Sequence, residues 1–464
     1  MRPGSRVRPS SLLALVVVLL LFASSPLPGQ TTGKPTTATP VQEGVTVERL
    51  QRSFKRAIAE MEQEHWKEAR ADFENLLKAS PNSPELHDFL GYVLLRQSEY
   101  KAAASEFRKA LQVRPDFQQA RTHLAEALQA GGQLQSAIEE FQRARGSGPL
   151  DAAARVAYAH ALSGSGSNDK AEEELVAAIA IAPQNPGAYD DLGSVLMQQQ
   201  KYRQAEEQFK KALQLAPNLA LAHLHLGVLY LRVDKPEEAL ERLRTAADLQ
   251  PEMVAAHYYL GRTLRMQGKN SEAMVELKKA AELEPGNAEA QNELGLALQR
   301  AGETDGAIAA FRRALARKPD DPDPHNNLGL VFTQAARMHE AVAEFEQALR
   351  LSPKDVGFRN NLGVAYLQMS DFEGAIREYK RGLGLAPDDA ELHYNLGLAL
   401  KLKDDLPAAL AELRRAEVLN PNLPDPPYTI GVTLWQMGDF EASASELQKV
   451  LSIKPDYAEA YYTL

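Results

Sequence analysis

Five of the chain's ten histidines, His87, His223, His257, His325 and His393, stand apart by multiples of 34 residues. Imidazole is the side chain best suited to hold a metal or move a proton near neutral pH, so that beat needs a reason. Each of the five falls at the same place, the fourth, in a recurring segment whose apolar spacing is that of a helix. That place lies on the packing side, and copies in neighbouring segments sit about 8–10 Å apart, too far to share one ion. His223 and His225, two residues apart, leave one helix on different sides. Carboxylates gather beside lysines, as in Glu206-Glu207 with Lys210-Lys211, which is pairing on a solvated helix face rather than an acid–base dyad. The chain has no cysteine, and its sequence holds no nucleophile elbow, metal box or phosphate loop. The expectation is a protein that is not an enzyme and uses no cofactor or metal.

The elements that position these residues follow a ruler of twelve prolines, Pro81 to Pro455, each 34 residues after the last. With Pro84 as position 1 of the second repeat, position 20 carries Ala103, Ala137, Ala171 and their successors to Ala409. Position 24 is always large and apolar, from Phe107 to Leu447, and Leu-Gly recurs at positions 7 and 8, as in Leu328-Gly329. One helical hairpin per repeat accounts for this. Helix A runs over the first thirteen positions, a short polar turn follows, and proline stops helix B. Glycine inside a helix costs about 0.5–1 kcal/mol against alanine, so position 8 must be crowded. The expectation is that helices A and B meet there backbone to backbone, with the alanine at position 20 as the complementary small surface.

A 34-residue period with these small and large marks resembles the tetratricopeptide repeat family. The resemblance implies an all-α, right-handed superhelical solenoid of about twelve helix-turn-helix repeats over residues 50–455, with helix A lining a concave groove. "DYAEAYYTL" begins a thirteenth helix and stops at its seventh position, so either more chain or another chain is expected to cover that end. Arg56-Ala57 replaces Leu-Gly in the first repeat, as suits a cap, and "SGSGSND" at 163–169 reads as a soft spot.

Positions 2, 5, 6, 9, 12 and 13 of helix A fall opposite its packing side. In repeats nine to eleven they hold Asn326, Asn327, Asn360, Asn361, Tyr394 and Asn395, with Asn292 just before. Helix propensity selects no such run, and side-chain amides both donate and accept, so they suit the main chain of an extended peptide. The position-6 members Asn327, Asn361 and Asn395 resemble the asparagine ladder in the repeat arm of O-linked N-acetylglucosamine transferases, which implies the same use. Alanine at Asn326, Asn327, Asn360 and Asn361 is expected to weaken capture and leave melting nearly unchanged. Leu224, Tyr258 and Tyr259, with Leu221 and Met266, form a second expected contact region, apolar and soft. A carboxylate clamp is not expected, since no repeat has lysine at position 5.

Residues 1–29 have the layout of a secretory signal peptide: Arg2, Arg6 and Arg8, an apolar run from Leu12 to Ala23, then small residues and prolines. Residues 30–46 read as a flexible linker, and 47–464 as the repeat array. The net charge is −10; without the three signal arginines it becomes −13, which argues against nucleic acid and against anionic lipid. The expected function is an exported scaffold, periplasmic or on a bacterial cell surface, that binds protein or peptide partners in its groove. Membrane contact is expected only if the N-terminal segment stays uncleaved. The alternatives are the recognition arm of a glycosyltransferase whose catalytic domain lies past Leu464, and a membrane-anchored assembly factor.

Overall fold

The computed structural model describes residues 40–464, with side chains from Glu48 onward. The signal segment lies outside the described residues, as does the linker up to residue 39. The first helix is Pro40–Glu62, so residues 40–46, expected as linker, are helical. From there the described chain is all helix, in twelve helix-turn-helix pairs and a short helix, Ala458–Thr463. It divides into two compact bodies, one ending at Lys235 and one beginning at Pro236. The first holds repeats one to five and helix A of the sixth, Ala220–Arg232; the second begins with Pro236–Leu249 and carries repeats seven to twelve.

Local chemistry sets each boundary. Asp151, Asn185, Asn287, Asp321, Asp355 and Asp389 cap the following A helix, each side chain accepting a backbone N–H two or three residues on. Between helices A and B, position 15 takes left-handed backbone in every repeat: five glycines, including Gly166, and seven other residues, including Ala336 at φ 57°. The N–H of position 16 then reaches back to the carbonyl of position 11, as in Glu99 to Leu94 at 2.9 Å and Arg337 to Phe332 at 2.8 Å. Ser167 makes the same bond to Leu162 at 2.8 Å. The 163–169 turn is therefore built like its counterparts, not loosely.

The position-20 alanines and position-24 side chains are wholly buried. Position 8 is crowded, but by the side chain at position 24. A Cβ added to Gly91, Gly193, Gly295 or Gly329 would lie 2.5–2.6 Å from the Phe ring of the same repeat. Where position 24 is leucine, the position-20 carbonyl closes in as well: Ala273 O is 3.1 Å from a Cβ on Gly261. The expected backbone-to-backbone contact is thus a ring-on-backbone contact at Gly91, Gly193, Gly295, Gly329 and Gly363. Within each body successive A helices touch, and successive B helices make no comparable approach, so each body curves with helix A inside.

Candidate functional site: the inner face of helix A

Adjacent repeats are joined across the inner face by rungs. Each rung links position 6 of one repeat to position 5 of the repeat before. In the second body Asn327 Nδ2 donates to Asn292 Oδ1 at 3.0 Å, Asn361 Nδ2 to Asn326 Oδ1 at 2.8 Å, and Asn395 Nδ2 to Asn360 Oδ1 at 2.8 Å. Asn360 Nδ2 also donates to Glu391 Oε1 at 2.7 Å. Tyr394 continues the register: burial pushes its hydroxyl up, and a hydrogen bond with Thr429 of the next repeat pulls it back. The structure therefore brings six of the seven predicted asparagine and tyrosine positions into direct pairs with one another, and the seventh into the next rung. These bonds tie neighbouring repeats together, so alanine there is now predicted to lower stability rather than to leave melting unchanged. Each pair still leaves the carbonyl oxygens of Asn327, Asn361 and Asn395 without a hydrogen bond among the described residues.

Beside the amides runs an aliphatic stripe at position 9: Leu296, Leu330, Val364, Leu398 and Val432, all partly exposed. A glutamine pair, Gln299 Nε2 to Gln334 Oε1 at 3.2 Å, joins repeats farther along the same helices. Tyr258 and Tyr259 pack edge to face at 5.0 Å and are partly exposed. Met266 is exposed, but Leu224 is only 6% exposed and offers nothing to a partner.

In the first body the same register pairs histidine with aspartate. His123 Nδ1 lies 2.8 Å from Asp88 Oδ1, and His225 Nδ1 lies 3.0 Å from Asp190 Oδ1. Burial pulls the His123 ring down, yet Asp88, with Glu126 and Asp151 behind it, lifts it to about 9. His160 is also raised: burial lowers it, and the hydrogen bond and charge of Asp191 outweigh that.

The fourth-position histidines serve each hairpin. His87, His257 and His393 touch a helix-B glutamate nineteen residues on (Glu106, Glu276, Glu412) at 2.6–2.7 Å. Their Nε2 meets the carbonyl of the ruler proline six residues back at 2.9–3.0 Å. Arginine does the same elsewhere: Arg359 bonds Glu378 at 2.9 Å and the Pro353 carbonyl at 2.6 Å. Sequence reasoning missed this staple and the rungs. Two constant spacings carried the signal: His or Arg to Glu at 19, and a matched pair, Asp with His or Asn with Asn, at 35. Among the described residues no three His, Cys, Asp or Glu side chains group to hold a metal ion, and no helix is long and apolar enough to cross a membrane.

Family models described as tetratricopeptide repeat match residues 54–119, 94–153, 130–193, 186–252, 292–356, 326–369 and 428–457. A further model, described as TPR repeat, matches 261–302 and 365–404. None of the curated proteins matches the chain. Among solved structures, the APC/C hetero-tetramer Cut9-Hcn1 is 17% identical over 91% of this chain and 97% of that one, with a TM-score of 0.46. YrrB, described as a TPR protein with an unusual peptide-binding site, is 24% identical over 40% and 96%, at 0.35. Pseudomonas aeruginosa pilF is 22% identical over 45% and 95%, at 0.40.

Proposed function

Because the chain belongs to the tetratricopeptide repeat family, we propose that it is a non-catalytic scaffold that takes an extended protein segment along the helix-A face of repeats eight to twelve. Repeats of this family form a general protein-interaction scaffold. The observation that carries the finer reading is the pairing of an unbroken aliphatic stripe, Leu296 to Val432, with unspent asparagine carbonyls one turn away. Apolar side chains of a ligand would cover the stripe, and its backbone N–H groups would donate to the amide oxygens. Glutamate at Leu330 and Val364 would place charge where apolar surface must be buried, which is costly without a partner. Peptides selected on the parent chain should bind that variant at least about tenfold more weakly, a loss of about 1.4 kcal/mol, with the melting curve unchanged. Equal binding to both chains would remove the stripe from the account.

We further propose export to a bacterial periplasm or cell surface and a part in assembling envelope complexes. The support is the layout of residues 1–29 together with the chain's lack of cysteine. N-terminal sequencing of protein recovered from cells tests it: a start near Gln30 supports cleavage, and an intact Met1 would make the segment an anchor.

A further inference from the structure

The joint between neighbouring A helices is neutral in three rungs of the second body and charged in the first, where His123 meets Asp88. Asp88 is 3% exposed, and His123 is its one hydrogen-bond partner among the described residues. The charges that act on the imidazole are all negative, aromatic rings pack against it, and the cation Arg96 is spent on the Tyr92 hydroxyl. Helix A of the second repeat, Pro84–Arg96, presents Asp88 and the Tyr92 ring, 5.5 Å away. Helix B of that repeat, Tyr100–Val113, presents the Phe107 ring, also at 5.5 Å. Its own helix, Gln118–Ala130, presents Glu126, and the start of the fourth repeat presents Asp151, the cap of the helix Ala152–Gly164. No lysine or arginine bonds Asp88, Glu126 or Asp151 among the described residues.

We infer that the joint between the second and third repeats is a proton-operated latch: an imidazolium at His123 holds the two A helices together over three carboxylates, and losing its proton leaves buried negative charge unbalanced and loosens them. The latch is independent of what the inner face binds. Its direction follows from the ring's lifted affinity for a proton, about 9 against the usual 6.5. The stabilisation is complete below 6.5 and is lost as pH rises through about 9. Glu126, raised first by burial and then partly lowered by His123, works in the same sense.

The chain has two tryptophans, and Trp66 lies under the Arg96 guanidinium at 5.1 Å, at the end of the helix that bears Asp88. Replacing Trp435 with Phe therefore makes fluorescence a reporter of the helix that bears Asp88. Urea titrations of the full-length Trp435→Phe chain at about pH 6.5, 8 and 9.5 span the window. The same titrations are run with Asp88→Asn and His123→Asn added, which installs the neutral rung of the second body. The midpoint of the Trp66 transition should fall with pH in the parent and fall less than half as far in the amide variant. No fall in the parent, or an equal fall in both, overturns the latch. Should the amide variant not fold, NMR titration of the His123 ring in the parent decides: a midpoint near 9 supports the latch and one near 6.5 rejects it.

Discussion

A methyl group on Gly329 would sit 2.5 Å from the edge of the Phe345 ring, which is 1% exposed and has nowhere to move. Overpacking of this kind costs about 1–3 kcal/mol, so Gly329→Ala should lower the unfolding free energy read from urea titration by that much. A variant as stable as the parent would mean the ring can shift. Ala336 poses the opposite case. Its φ of 57° strains any side chain, and glycine there should raise stability by about 1 kcal/mol. A calorimetric melt that moves down instead would show that unfolded-state entropy dominates. The sequence made the crowding at position 8 legible, because nine repeats keep glycine in a helix interior. It did not say which neighbour crowds it, since positions 20 and 24 lie on the same face of helix B and both are constant.

At the level of helices, two kinds of tie order the stack: staples within a hairpin and rungs between hairpins. Glu174 is 6% exposed and accepts from Arg155 at 2.6 Å and from Arg145 at 2.9 Å. Arg155→Met should cost about 2 kcal/mol, the range for a hydrogen bond to a charged group, and a change below a few tenths in urea titration would show that Arg145 compensates. Asn361→Ala removes the rung to Asn326 and should cost about 1 kcal/mol. Unchanged stability would return the amides to the role of plain surface groups. Helix order and turn positions were readable because proline, glycine and alanine recur at fixed places in one short period. The rungs were not, because a hydrogen bond 35 residues long joins two positions that a helical wheel treats as equally free. Leu224 was misread for a related reason: the wheel puts it on the outer arc of one helix, yet it is buried.

For the molecule as a whole, the claim is that the inner face of repeats eight to twelve is a trough for an extended protein segment. In the proposed function the amides would serve twice, as ties that keep the trough rigid and as carbonyls left over for a ligand. Rigidity matters because a preformed site pays little ordering entropy on binding. The repeat architecture could be read from the sequence almost entirely, whereas the site could be read only as a face, since its chemistry depends on which amides are already spent. Panning random dodecapeptides on the full-length chain, then measuring anisotropy of the selected peptides on the parent and on the Leu330→Glu, Val364→Glu chain, tests the trough most directly. The account predicts peptides that share spaced aliphatic residues and bind the variant at least about tenfold more weakly, a difference of about 1.4 kcal/mol. Peptides that bind both chains alike, or that are displaced only by changes on helix B, would contradict it.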